Sequence, residues 1–506
     1  MLIWLILVPV LAAALIGLLR TPGRATALVS AAITLILGVC AVCHYSCDIA
    51  SAHATWSMFG DSPLQFTLAH PLSRVMVLLS VIVTFAAIAG LKAPDAAADR
   101  SWSISSLLLA AGATGAFMSD NIISFYAFHE LALIPTFVMI GYYGRGDRRT
   151  TAWTATIYLG LASMVLLAGI LLLGMEMNSW SFSGMTLAVR MGVLPEHGCL
   201  IGGLLLLGFG TLVSLFPFHS WAAPAYASAP TPIAMLHAGV LKKFGLYGLF
   251  MLAWIFGPFC GTLFGGWNDL LLLCLLGNVL WVGYVTVSQT RLDDMLGNSS
   301  VMHMGYIFLA FAAFVASGAS NGLAYQGAAL LMLAHGLTIA MLFLLTGQIE
   351  SQTRTLELGA MGGLARRLPT LGFLFGLAGL ASIGLPLLAN FPGEFTIFVA
   401  CFEQGIPAAA ATCGTCCGGA ASCILGTLAN WFGGISTVQV TVIFALWGLV
   451  IGAIYMLRAF RRIFEGDISA ASERSTRLSC ADIIAAAFLA ALIVLFGICP
   501  QIIPLG

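Results

Sequence analysis

The sequence predicts an all-α polytopic membrane protein of about fourteen transmembrane helices, and three observations predict it. Apolar runs of roughly twenty residues recur along the whole chain, each long enough to cross a hydrocarbon core about 30 Å thick. Of the 506 residues, 60% are hydrophobic and 8% are charged, against about 25% charged in soluble domains. Mean hydropathy is +1.01. Basic clusters fall at alternate ends of the runs. A formal net charge of zero gives no sign of a nucleic-acid partner.

The spans lie near 1–20, 25–45, 71–93, 101–119, 121–142, 151–175, 199–221, 231–255, 268–288, 295–317, 322–348, 369–400, 438–460 and 481–500. The opening stretch MLIWLILVPVLAAALIGLLR lacks the positive start and small-residue cleavage site of a secretory signal, and reads as the first span. Arg20 and Arg24 follow span one, Lys92 and Arg100 span three, and Arg145, Arg148 and Arg149 span five. Arg291 follows span nine, Arg354, Arg366 and Arg367 span eleven, and Arg458, Arg461 and Arg462 span thirteen. Every cluster follows an odd-numbered span, so all share one side, which the positive-inside rule makes cytoplasmic. Both termini then face away from the cytoplasm.

Spans seven and twelve are interrupted, near Pro217 and across LPLLANFPGEF with Pro386, Pro392 and Gly393. Broken helices in corresponding positions are the signature of inverted repeats. A single membrane domain, 1–506, is therefore expected to contain one five-helix repeat at 101–256 and a second at 268–460. Between spans twelve and thirteen lies a Gly/Ala/Cys-rich insert, 404–435. One more crossing there would invert the last spans, so a re-entrant or surface segment is expected. Its Cys413, Cys416, Cys417 and Cys423 would then face the side where a disulfide is permissible, although packing as small apolar residues is the plainer reading. The thirteen cysteines show no metal-ligand spacing, and no P-loop or dinucleotide fingerprint is present. The chain itself is expected to hold no metal or redox cofactor.

The informative residues are those that apolar spans would ordinarily exclude. Lys242 and Lys243 sit together in span eight, and a lysine at a helix centre costs roughly 2.5–3.5 kcal/mol on insertion scales. Span five places Glu130, beside His129, in FYAFHELALIP. Span ten carries His303 and span eleven His335; Glu394 follows the break of span twelve. A single buried histidine is usually a packing residue. Two on successive spans, between a lysine and a glutamate, suggest a Glu–Lys–His–His–Glu proton wire near the midplane. His219, in the span-seven break, and His237, six residues before Lys243, are weaker candidates. In a regular helix Lys242 and Lys243 would point about 100° apart, so only one is expected to face the axis.

Those residues stand in HELALIP, PFHSWAAPAYASAPTPI, GVLKKFGLYG, SSVMHMGY, LAYQGAALLMLAHGL, GQIESQTRTLELGAMGGL and NFPGEF, in that order. The set resembles the M-chain family of bacterial respiratory complex I (NADH:quinone oxidoreductase), which includes mitochondrial NADH dehydrogenase subunit 4. It belongs among the antiporter-like, Mrp-related subunits, and the resemblance covers most of 100–460. It implies a proton-translocating subunit of the membrane arm, in the bacterial cytoplasmic membrane. Neighbouring antiporter-like and other membrane-arm subunits and the lipid bilayer would be its partners. NADH, FMN, iron–sulfur clusters and quinone would be held elsewhere in the holoenzyme. The resemblance assigns Glu130, Lys243, His303, His335 and Glu394 to the proton path, with Glu394 facing the next subunit. One position departs: the family's span-seven lysine, partner of the span-five glutamate, falls on Leu212, and Lys242 is extra and could replace it. Asp293–Asp294 and the 404–435 insert depart as well. An Mrp-type cation/proton antiporter, a membrane-bound hydrogenase subunit and a non-pumping spacer are the competing readings.

Overall fold

Helix follows helix along nearly the whole chain in the computed structural model, which describes residues 1–45, 54–59, 62–403, 419–431, 434–476, 478 and 480–505. Among them, nine helical stretches are long and apolar enough to cross a membrane. Four shorter apolar helices join them: Trp4–Leu19, Gly198–Val213, Pro369–Ser382 and Ile483–Ile498. One stretch, Thr231–Ser288, runs 58 residues. At about 1.5 Å per residue that far exceeds one bilayer core. It turns at Gly257, whose φ of +50° favours glycine, and supplies two passes, in keeping with the expected fourteen. The departure from all-α is an antiparallel hairpin, Ala54–Phe59 with Ser62–Phe66, after the second helix. A short surface helix, Phe182–Arg190, also went unanticipated.

The basic loops collect at one end of the bundle, as their alternation along the sequence predicts. Arg24 Nη2 donates to Ala89 O at 2.6 Å, and Arg145 pairs with Glu350 at 2.6 Å. Arg291 pairs with Asp293 at 2.8 Å and reaches Glu357 at 3.7 Å. Arg458 Nη2 donates to Gln289 O at 2.7 Å. Gly90 and Lys92 line one pocket with Arg145, Glu350 and Arg354, so the segments following spans one, three, five, nine, eleven and thirteen form one layer.

Among the described residues three spans are broken, where two were expected. Helix Gly198–Val213 stops at Ser214, φ 71°, and helical structure resumes with Ala222–Ser228. The polar groups freed there are met by Asn278, which lies on a π-helical turn, Gly277–Val282. Asn278 Oδ1 accepts from Phe216 N at 2.6 Å, and its Nδ2 donates to Ser214 O at 3.0 Å and Val301 O at 3.1 Å. The second break separates Pro369–Ser382 from Asn390–Phe402. Pro392 and Gly393 therefore lie inside the second half-helix rather than in the gap. The third was not expected: span eight divides into Thr231–Gly239 and Phe244–Phe256, joined by a 3-10 turn, Leu241–Lys243. Both lysines sit on that turn, so the regular-helix geometry expected for them does not apply.

Of the insert, 404–418 lies outside the described residues, and with it Cys413, Cys416 and Cys417. Helix Gly419–Trp431 packs beside Asn268–Leu276 and Thr437–Ala445.

Candidate functional site

Lys242 and Lys243 are 1% and 0% exposed, so each charge depends on protein partners. The 3-10 turn supplies one of them. Where the α-helical ladder is interrupted, Ala238 O is left free and takes a bond from Lys243 Nζ at 2.6 Å. The other comes from packing: Gly239 and Gly336 cross with no side chain between the backbones, and a Cβ on Gly336 would stand 2.7 Å from Gly239 O. That crossing brings helices Thr231–Gly239 and Gly322–Thr353 together one turn from the lysine. Lys243 Nζ lies 3.0 Å from His335 Nδ1.

His335 leads to His303, with ring centroids 5.4 Å apart. His303 Nδ1 is 2.8 Å from Ser299 O and its Nε2 is 2.9 Å from Ser382 O, the carbonyl at the edge of the second break. Both neighbours are acceptors. A neutral imidazole has one N–H, so both contacts become hydrogen bonds only when a second proton arrives. A doubly protonated ring would thus have an acceptor for each N–H.

Beyond the break, Glu394 is 2% exposed, and its Oε1 has no hydrogen-bond partner among the described residues. Gly384, φ +81°, makes room for it: a Cβ there would overlap Glu394 Oε2. Nearby, Tyr455 Oη lies 2.7 Å from Ser299 Oγ. Ser299, Ser382 and Tyr455 thus line the side of His303 that adjoins the second break. None was singled out from sequence, although the SerSer pair before His303 in SSVMHMGY was a readable signal.

Glu130 does not lie in this interior. Its side chain is 35% exposed, on the flank of helix Ile122–Tyr143 that also shows Leu131 and Ile134. Ser163 Oγ donates to Glu130 Oε1 at 2.5 Å, Tyr126 stands beside it, and His129 Nδ1 lies 3.4 Å away. The expectation that Lys242 replaces a span-seven lysine is not met by a contact, since no lysine lies within 4.0 Å of Glu130 among the described residues. Lys242 Nζ instead points to Ser300 Oγ at 3.4 Å and lies 5.2 Å from the centroid of the Tyr226 ring. Leu212, 4% exposed, packs in the apolar core. His219 stacks on Phe216, centroids 5.3 Å apart, in the span-seven break. His237 is buried against Trp221 and Tyr226.

A family model described as NADH:quinone oxidoreductase/Mrp antiporter, TM, matches residues 119–418. The chain is 30% identical over 400 residues to NAD(P)H-quinone oxidoreductase chain 4 2 of Microcystis aeruginosa, an alignment covering 78% of this chain and 65% of that relative. It is 26% identical to NADH-quinone oxidoreductase subunit M of Rickettsia prowazekii, over 79% and 73% of the two chains. Its fold is similar to a chain of Thermus thermophilus respiratory complex I, TM-score 0.82 at 23% identity, covering 99% and 96% of the two. A chain of the Mrp complex from Dietzia is similar at TM-score 0.77 and 18% identity, over 100% and 95%.

Proposed function

The chain belongs to the NADH:quinone oxidoreductase/Mrp antiporter transmembrane family, and from that premise we propose that it is a proton-translocating membrane-arm subunit of a quinone-reducing complex. The observation that carries the proposal is the buried Lys243–His335 contact at 3.0 Å, continued by the His335–His303 ring pair. Proton-exchanging groups are costly within a bilayer, and three in contact across three spans form a path rather than a scatter. In this reading a proton passes between the lysine amine and His335 Nδ1, then to His303, and reaches Glu394 through the Ser299–Tyr455 hydroxyls. Glu130, on the outer flank, faces a neighbouring membrane-arm subunit. Electron transfer from NADH to quinone, with the flavin and iron–sulfur groups it needs, falls to other chains of the complex. The basic layer faces the cytoplasm, and the segments 101–256 and 268–460 act as the two repeats around the axis.

Lys243→Met in the assembled complex tests this, because it removes the amine with little change in bulk. The expected result is a several-fold fall in protons pumped per electron while assembly persists. Pumping equal to that of the parent chain would overturn the proton-path reading. A non-pumping spacer would then be favoured, and Leu212, with the neutral hydroxyls around Glu130, already points that way.

A further inference from the structure

A cavity of about 840 Å³ opens at the basic end of the bundle, lined by Arg458, Arg461 and Arg462 of helix Trp447–Phe464 and by the loops carrying Gly362 and Asp467. Backbone bonds hold its walls: Gly363 N donates to Glu465 O at 2.8 Å, and Ser469 N to Gly362 O at 3.2 Å. The arginines stand three and four residues apart, so they share one helix face. Two acids, Glu465 and Asp467, join the lining, and Asp467 Oδ1 lies 4.0 Å from a further cation, Arg366. Among the described residues no carboxylate comes within 4.0 Å of Arg458, Arg461 or Arg462. Arg458 Nη2 is committed to Gln289 O at 2.7 Å, whereas its Nε is buried with no hydrogen-bond partner among the described residues. Roughly 90% or more of buried polar groups are paired. This guanidinium therefore calls for a further acceptor, and its companions call for an anionic one.

The cavity continues into an apolar groove between the same helix and half-helix Pro369–Ser382, and Leu457 lines both. Glycines open the groove. A Cβ would stand 3.1 Å from the Phe460 ring at Gly376 and 3.0 Å from Met456 at Gly379. The groove reaches Ile383, the neighbour of Ser382, whose carbonyl meets His303 Nε2 at the second break. Phe373, Ile454 and Leu457 are exposed on this flank. A basic cavity that opens into an apolar groove matches a charged head with a hydrocarbon tail, and guanidinium forks match phosphate oxygens. We propose that this is a binding site for an anionic glycerophospholipid. Its phosphodiester is held by Arg458, Arg461 and Arg462, and one acyl chain lies along the groove to Ile383. Basic pockets between spans hold such head groups. The tail packs on half-helix Pro369–Ser382 and so braces the second break. Occupancy does not depend on whether the chain pumps.

The test uses the assembled complex, delipidated and returned to phosphatidylcholine vesicles that contain phosphatidylglycerol with a diazirine on one acyl chain. Irradiation should label the peptides 375–383 and 456–460. Arg461→Gln/Arg462→Gln removes two exposed charges and should lower that labelling several-fold, as should Arg458→Gln. Arg149→Gln, which removes an exposed charge elsewhere in the basic layer, should leave it unchanged. Diazirine phosphatidylcholine should label the groove several-fold less, and inorganic phosphate at matched concentration should not displace the label. Equal labelling by the two lipids, or an equal fall in Arg149→Gln, would reduce the site to general attraction between charge and membrane and overturn the proposal. Displacement by inorganic phosphate would overturn it in favour of a free-anion site. An unlabelled groove in the parent complex would overturn it in favour of cover by a neighbouring subunit. If Arg458→Gln fails to assemble, the double variant and the comparison of the two lipids decide.

Discussion

Glu130 and Lys243 solve the same problem, a charge where water is scarce, by different means. Lys243 is enclosed, with a backbone carbonyl and His335 as its partners. Glu130 is half-exposed on the chain's flank and is held by Ser163 and Tyr126 with His129 alongside. A hydroxyl can share or pass a proton but cannot offset a full negative charge, which is what a lysine at Leu212 would do. If Glu130 nevertheless feeds the path, Glu130→Ala should lower pumping per electron with assembly intact. Loss of the Ser163 bond to the carboxylate should cost about 1.5–3 kcal/mol of stability, so the unfolding midpoint should fall modestly while pumping changes several-fold. Unchanged pumping would leave Glu130 as a surface contact.

At the scale of the element, the breaks put polar backbone into the membrane, and each has a dedicated partner. His303 takes Ser382 O at the second, and Lys243 takes Ala238 O at the third. The first depends on Asn278, on the π-helical turn of the facing span, which makes two bonds across it, to Phe216 N and Ser214 O, and a third to Val301 O of span ten. Asn278→Leu would leave Phe216 N and Ser214 O unmet, at about 1–3 kcal/mol for each group stranded away from water. The expected result is a fall in stability of several kcal/mol, read as a lower unfolding temperature of the purified complex. An unchanged midpoint would mean that water or a shifted backbone serves the break as well. Proline and glycine announced two of these breaks. The third has no such residue at its centre, only the lysines that depend on it.

At the scale of the whole molecule, the interlocked basic loops fix which ends of the helices share a side. Lys92→Cys and Arg462→Cys, made singly, should be labelled by a membrane-impermeant thiol reagent from one face. Ser183→Cys, on the short helix Phe182–Arg190, should be labelled only from the other. Labelling of the first two from opposite faces would break the odd–even assignment. The sequence by itself determined the membrane class, the passes and the basic layer, and it marked Glu130, Lys243, His303, His335 and Glu394 as polar residues within apolar spans. Hydrophobicity, span length and the cost of an intramembrane charge act locally, so they can be read along a chain. Which groups touch was decided only by the tertiary structure. The Gly239–Gly336 crossing sets Lys243 against His335, the second break turns Ser382 O toward His303, and the packing of helix Ile122–Tyr143 leaves Glu130 on the flank beyond Lys242's reach. Those contacts arise between helices distant in sequence, where close backbone approach and unpaired carbonyls, rather than residue type, select the partner.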